Sequence, residues 1–293
     1  MKKRRIMVPI ILLALACPVI PGFDSGLKVR CYTVESDAVQ APVRVALISD
    51  LHSCGYGENQ RELIDAVDSQ NPDLVLMTGD IFDDELPDDN TEQFLRGVGK
   101  RYPCYYVTGN HEHWSGSGAF LEKMDILKEC GVHRLSGVCE TVSVRGTAIN
   151  LCGVDDPEAS FTASADPARD TVSFLQQIDQ VRKASENGNY TILLSHRPEF
   201  FELYAAQGFD LALCGHAHGG QFRIPGILNG LYAPNQGFFP KYAGGEYHKK
   251  RTVMIVSRGL ARESTRVPRF YNRPELVIID IVYFCGRCRL VKK

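Results

Sequence analysis

The sequence predicts an α/β fold: two mixed β-sheets packed as a sandwich and flanked by helices. Nearly all-apolar short strands alternate with helix-spaced segments through the first half, the pattern of crossover units on a sheet covered on both faces. The second half replaces that alternation with a hairpin and further apolar strands, which call for a second sheet. The 293 residues are 44 % hydrophobic and 23 % charged, enough for a full core in a single domain.

In order, Leu27 to Val34 alternates loosely as a strand, and Val43 to Ser49 is a second, almost wholly apolar one. Glu58 to Ser69 has helical spacing, with Leu63, Ile64 and Val67 on one side. Strand Asp73–Thr78, helix Thr91–Lys100, strand Tyr105–Thr108 and helix Ala119–Glu129 follow. Thr141–Val144 and Ala148–Cys152 flank Arg145-Gly146-Thr147 as a hairpin. A helical stretch runs from Ala168 to Asn187, and Tyr190–Leu194, Leu211–Leu213, Val253–Val256 and Leu276–Ile281 are strands. Between Gly219 and Tyr247 lies a Gly/Pro/aromatic-rich loop, long for a connector and therefore a candidate substrate-facing segment. Its Phe222, Ile224, Ile227, Leu228, Phe238 and Phe239 either contact an apolar substrate portion or pack beneath the loop.

Before this domain, Lys2-Lys3-Arg4-Arg5 precede an uncharged run from Ile6 to Ile20. Residues 1–23 therefore read as a signal anchor or signal peptide, and residues 24–293 as the domain. The run is short against the ~20 residues that span a bilayer. An uncleaved anchor is the first reading and cleavage the second. Lipid modification of Cys17 ranks last, because Ala14 replaces the large aliphatic residue usual before such a cysteine. The cations should remain cytoplasmic, which puts the domain on the outer face of the membrane.

Cys31, Cys54, Cys104, Cys130, Cys139, Cys152 and Cys214 stand singly and read as buried small hydrophobes. Cys285-Gly286-Arg287-Cys288 lacks the second pair a structural zinc site needs, leaving a late disulfide or two free thiols. A formal charge of −2, from 33 Lys+Arg against 35 Asp+Glu, argues against duplex nucleic acid as a partner.

Five motifs stand where apolar strands run out: Ser49-Asp50-Leu51-His52, Thr78-Gly79-Asp80, Thr108-Gly109-Asn110-His111-Glu112, Ser195-His196-Arg197-Pro198 and Cys214-Gly215-His216-Ala217-His218. Asp50, Asp80 and Asn110 are thirty residues apart, about one strand–helix–strand repeat. Successive crossovers therefore deliver them to one carboxyl edge of the sheet, where such sheets place ligands. Asp50/His52 and His216/His218 are i, i+2 pairs, whose members point to one side in an extended chain. Gly79, Gly109 and Gly215 allow sharp turns and close backbone approach. Carboxylate, amide oxygen and imidazole together suit Zn, Mn or Fe. Taken singly, His196 reads as a structural histidine, Asp50 or Asp80 as a cap and Asn110 as a turn residue. Their joint occurrence at strand ends favours a metal site.

This ordered set resembles the calcineurin-like metallophosphoesterase superfamily, whose pattern is D-x-H, G-D, G-N-H-[DE], a lone H and G-H-x-H. The match runs from about Val43 to His218 and departs at no ligand position. Membrane-anchored bacterial phosphoesterases are the most similar type. The resemblance implies the four-layer fold of that superfamily and two divalent metal ions. One would be held by Asp50, His52, Asp80 and His218, the other by Asp80, Asn110, His196 and His216, with Asp80 shared. It further implies hydrolysis of phosphate mono- or diesters by a hydroxide bridging the ions, with His111 over the substrate as charge stabiliser or proton donor. Glu112 reads as orienting its neighbours, Asp83 and Asp84 as supporting or solvated, and His113, His133 and His248 as ordinary structural residues. A non-catalytic metal-binding scaffold and a nuclease are the alternatives. A lipid or envelope phosphoester fits the anchor by analogy, and the oligomeric state is not legible.

Overall fold

The structure, a computed structural model, describes residues 20–162, 167–262 and 267–284. The expected N-terminal segment up to residue 19, Cys17 and the Cys285/Cys288 pair lie outside them. Among the described residues, no helix is long and apolar enough to cross a membrane.

The first sheet contains β1 (Lys28–Ser36), β2 (Val43–Ile48), β3 (Leu74–Thr78), β4 (Cys104–Val107), β5 (Val132–Arg134) and, from the far end of the chain, β14 (Glu275–Tyr283). Their order is β1-β14-β2-β3-β4-β5. The second contains β6 (Val138–Val144), β7 (Thr147–Gly153), β8 (Tyr190–Leu194), β9 (Leu211–Cys214), β12 (Gly245–Lys249) and β13 (Thr252–Val256), in the order β12-β13-β9-β8-β7-β6. A two-stranded ribbon, β10 (Tyr232–Ala233) and β11 (Gly237–Phe238), stands in the long loop.

Strand periodicity explains the layering. In β2, Val45 and Leu47 point into a core shared with Leu151, Ile192, Leu213 and Ile255 of the opposite sheet. The alternate residues Ala46 and Ile48, with Val75 and Met77, pack instead on helices α1 (Arg61–Gln70), α2 (Asp89–Val98) and, after the short helix α3 (Asn110–Trp114), α4 (Ser117–Glu129). The outer face of the second sheet, through Leu193, Ala212 and Met254, is covered by α5 (Pro167–Ala184) and α6 (Phe201–Gln207). The predicted sandwich with helices outside is the observed architecture.

The hairpin forms with Val144 opposite Thr147, and its two turn residues, Arg145 (φ 49°) and Gly146 (φ 82°), are both left-handed as a tight β-hairpin turn requires. That register sets Cys139 opposite Cys152, and the two form a disulfide, so they are not the separate small hydrophobes expected. The expectation fails because pairing depends on cross-strand register, to which each cysteine's apolar neighbourhood gives no clue. Cys31, expected to be buried, is exposed on edge strand β1. The strands and helices that periodicity missed are short or polar: three-residue β5, five-residue α3, seven-residue α6, the two-residue β10 and β11, and the edge strand β12.

Candidate metal centre

All the candidate ligands sit just beyond strand ends on one edge of the sandwich: Asp50 and His52 after β2, Asp80 after β3, Asn110 after β4, His196 after β8, His216 and His218 after β9. The chain continues past β2 by loop-to-loop hydrogen bonds, Asp50 N to Gly79 O (3.1 Å) and His52 N to Asp80 O (3.0 Å). The i, i+2 pairs converge, but not as extended chain. Asp50 (φ 49°), His52 (48°), Asp80 (50°), His216 (64°) and His218 (45°) are all left-handed. Such conformations are unfavourable for non-glycine residues and cluster where function holds them in place. The glycines answer to packing: a Cβ on Gly215 would lie 1.8 Å from Ser49 Oγ, and one on Gly79 (φ 84°) would lie 2.5 Å from Gly109 N.

Three groups of donors result among the described residues, Asp50–His52–Asp80–His218, Asp80–His196–His216 and His52–Asp83–His111, with the ligand atoms of each group within 4.8 Å of one another; the first two match the predicted ligand sets. Asp80 belongs to both of these. Its Oδ2 lies 3.6 Å from His52 Nε2 and 3.0 Å from His196 Nε2, while His218 Nε2 is 3.6 Å from Asp50 Oδ1. The second group gains an oxygen if Asn110 joins it. Asn110 Oδ1 and His52 Nε2 are buried without a hydrogen-bond partner. An orphaned buried acceptor is costly, and a divalent cation removes that cost. The mixed oxygen and imidazole donors suit a transition metal. The residues present therefore fit a pair of divalent ions.

The far side of each imidazole is fixed. His52 Nδ1 faces Asp83 Oδ2 at 2.9 Å and His196 Nδ1 faces Thr78 O at 2.7 Å, leaving Nε2 of each toward Asp80. Asp50 is anchored by Ser49 Oγ (2.7 Å) and the amide of His216 (2.8 Å), Asp80 by the amide of His111 (2.9 Å). Burial alone would raise the Asp80 carboxyl, yet the His196 and His111 imidazoles outweigh it and hold it well below its ordinary range. Burial would likewise lower His196, but Asp80 and Asp50 push it up to about 10. A position that demands positive charge so strongly is one a divalent ion can satisfy. Burial, reinforced by Arg197 beside His216 and by His52 beside His218, keeps these two imidazoles well below 6.5 and so ready to coordinate as neutral ligands, whereas against burial Asp83 and Asp80 raise His52.

His111, partly exposed, lies edge-on to His52 with centroids 4.3 Å apart, and its Nδ1 is 2.5 Å from Asp84 Oδ1. Asp83 thus supports His52 and Asp84 supports His111. Glu112 is fully buried and accepts backbone N–H groups of Asp80, Ile81, Phe82 and Gly109 at 2.7–3.0 Å. It orients, as expected, by tying the β3 loop to the β4 loop. Glu112→Ala should strand those donors and lower unfolding stability by on the order of 3 kcal/mol or more, read as a fall in the urea midpoint. An unchanged midpoint would contradict this role. His113 is buried against Thr108 Oγ1 and Phe120, and His133 and His248 are exposed, none of them a member of the ligand groups among the described residues.

The sequence profile of the calcineurin-like phosphoesterases matches residues 43–220, from the first residue of β2 to just past His218. The chain belongs to this family. A Helicobacter pylori protein named uncharacterized metallophosphoesterase is 29 % identical over 248 residues, 81 % of this chain and 60 % of its own length. This chain thus spans only about three fifths of that relative. Phosphodiesterase YaeI of Escherichia coli is 25 % identical over 267 residues, 89 % of this chain and 90 % of that one. The fold resembles the solved NAD nucleotidase of Haemophilus influenzae, with a TM-score of 0.52 at 16 % identity, covering 76 % of this chain and 46 % of that one.

Beyond the family's matched region, sequence reasoning missed Asn235. Its Oδ1 accepts from His216 Nε2 (2.7 Å) and Arg197 Nη1 (2.6 Å), and Arg197 is itself buried against Asp156. With Arg197 Nη1 also 3.2 Å from Nε2, that contact fixes the ring and turns His216 Nδ1 toward His196 Nε2, 3.1 Å away. Only a bare Pro234-Asn235 turn signal marked the position. Asn235→Ala should weaken metal retention by about 10–100-fold, measurable by titration of the protein with Mn(II). Unaltered affinity would show that His216 needs no such support.

Proposed function

We propose that the chain is a binuclear-metal phosphoesterase that hydrolyses phosphate mono- or diesters. The observation that carries this reading is the shared carboxylate of Asp80 between two donor groups, with His111 beside them. One ion is assigned to Asp50, His52, Asp80 and His218, the other to Asp80, Asn110, His196 and His216. When bound, such a pair polarises a phosphoryl group and makes water nucleophilic near neutral pH. The protein's part is to hold these imidazoles in one orientation, through Asp83, Thr78 and Asn235, and to bring His111 to the leaving oxygen. His111 Nδ1 is held by Asp84, which directs Nε2 to the leaving oxygen, and in its imidazolium form the ring would give a proton there from Nε2 and return to the neutral state. The name phosphodiesterase carried by the E. coli relative favours diesters among the esters.

Residues 1–23 are proposed as the anchor and residues 24–293 as an extracytoplasmic catalytic domain. The cationic start before an apolar run supports this orientation. The Cys139–Cys152 disulfide is at home in an oxidising compartment. Chelator-treated protein should hydrolyse neither p-nitrophenyl phosphate nor its bis ester. Adding back Mn, Zn or Fe should restore turnover of at least one. Hydrolysis that persists after verified loss of metal, or that no metal restores, would defeat the reading.

A further inference from the structure

We propose that the edge of the sandwich bearing the metal centre rests on a lipid surface, so that the site meets phosphoesters at headgroup level. This orientation builds on the anchored phosphoesterase proposed above. Strand β1 runs parallel to β14, with Lys28 beside Glu275, and β14 runs antiparallel to β2, with Val277 beside Leu47. The start of β1 therefore lies at the end of β2 that leads into Asp50. Glu275 N bonds to Gly259 O, and a Cβ on Gly259 would sit 2.6 Å from the Cβ of Asp50. The chain that arrives from the apolar run Ile6–Ile20 thus enters at the metal edge and not at the opposite one.

Where it enters, the surface is apolar. The turn Ile20–Phe23 folds onto Phe270: Tyr271 N bonds to Gly22 O at 2.6 Å, and the Phe23 and Phe270 rings meet at 5.1 Å. Phe270 stacks on Phe222 at 4.3 Å, four residues beyond His218. The loop that starts there holds Ile224 and Ile227 outward, and its ribbon, whose turn presents Asn235 to His216, holds out Phe238 and Phe239. Exposure reaches 73 % at Ile20, 84 % at Ile227, 70 % at Phe238 and 69 % at Phe239. Phe239 does this from a left-handed backbone (φ 58°), a costly conformation for an aromatic residue. Exposed apolar side chains gathered on one loop mark an interaction surface. Because the incoming apolar segment joins the same rim, the occupant is the bilayer interface, where aromatic and aliphatic side chains insert to headgroup depth. A phosphoester held at that depth comes to the mouth beside His111, whereas at the far edge it would be a full strand length away.

The test uses the full chain with Trp114, its single tryptophan, replaced by Phe. One tryptophan is then placed at Ile227, at Phe238 or, as the control, at Tyr283, exposed at the far end of β14. In vesicles of phosphatidylcholine and phosphatidylglycerol with brominated acyl chains, Ile227→Trp and Phe238→Trp should lose about half their emission or more, and Tyr283→Trp almost none. Equal quenching at all three positions, no quenching at the rim, or chains that cross-link through the rim while their tryptophans stay unquenched would overturn the proposal. The double variant Phe238→Ser with Phe239→Ser should hydrolyse a soluble p-nitrophenyl ester within about twofold of the parent. It should lose roughly tenfold or more on a vesicle-borne phosphodiester. An equal loss on both substrates would also overturn it. Rim tryptophans quenched as expected in chains whose parent hydrolyses neither ester would sink the phosphoesterase reading and leave the orientation standing.

Discussion

Asp80→Asn should lower kcat/KM by on the order of 10³-fold or more and reduce the metal held per chain below two. Asp80 is the residue common to both donor groups, is fully enclosed, and takes its second oxygen, Oδ1, to the amide of His111. Asparagine keeps the shape and one oxygen, but it removes the negative charge. Two cations in one buried site then face each other without the anion that screens them. The NH2 group would also point at either His196 or the His111 amide, both of which meet an oxygen in the parent. Metal analysis of the purified variant, beside turnover of p-nitrophenyl and bis-p-nitrophenyl phosphate, checks this. Two tightly held ions and turnover within tenfold of the parent would mean that Asp80 is not the shared ligand.

His111→Ala should behave differently. Turnover should fall by about 10²–10⁴-fold while most of the metal stays, because His111 lies outside both ligand groups that share Asp80. Its ring touches His52 edge-on and is held by Asp84 through Nδ1. If Nε2 protonates the leaving oxygen, the loss should be largest for alkyl esters, whose alkoxide needs that proton. It should be smallest for p-nitrophenyl esters, whose phenolate leaves unaided. An equal loss for both would assign His111 to charge stabilisation alone. Full loss of metal would move it into the coordination of the ions, since His52, Asp83 and His111 also lie close enough to form a third group.

Much of the site was readable along the chain because its chemistry is written in short strings. Asp50, Asp80 and Asn110 follow β2, β3 and β4 at one repeat length, and a parallel sheet necessarily brings such positions to one edge. Glu112, read as an orienter, is seen to be one because its neighbour Gly109 and the Asp80 loop both direct N–H groups at it. The local route to convergence was misjudged. The i, i+2 pairs were expected to share a side as extended chain, yet their members have left-handed backbones. Residue type offers only a weak cue for this, since Asp and His are enriched at positive φ without demanding it. Cys139 with Cys152, and Asn235 with His216, escaped for a related reason: each partnership depends on register or on the path of a loop.

By itself the sequence determined which side chains are candidate ligands, the alternation of strands and helices that delivers them, and the two-sheet class, because periodicity and motif spacing are local properties. Only the tertiary structure decided which imidazole nitrogen faces the cluster, that Asn235 supports His216, and that the chain enters at the metal edge. The first and last rest on contacts such as His196 with Thr78 and β1 with β14, between residues more than a hundred positions apart, and the second on the path of a loop that returns Asn235 to His216. Local propensity does not specify such contacts. They form only when burying both faces of each sheet leaves the strands a single mutual arrangement.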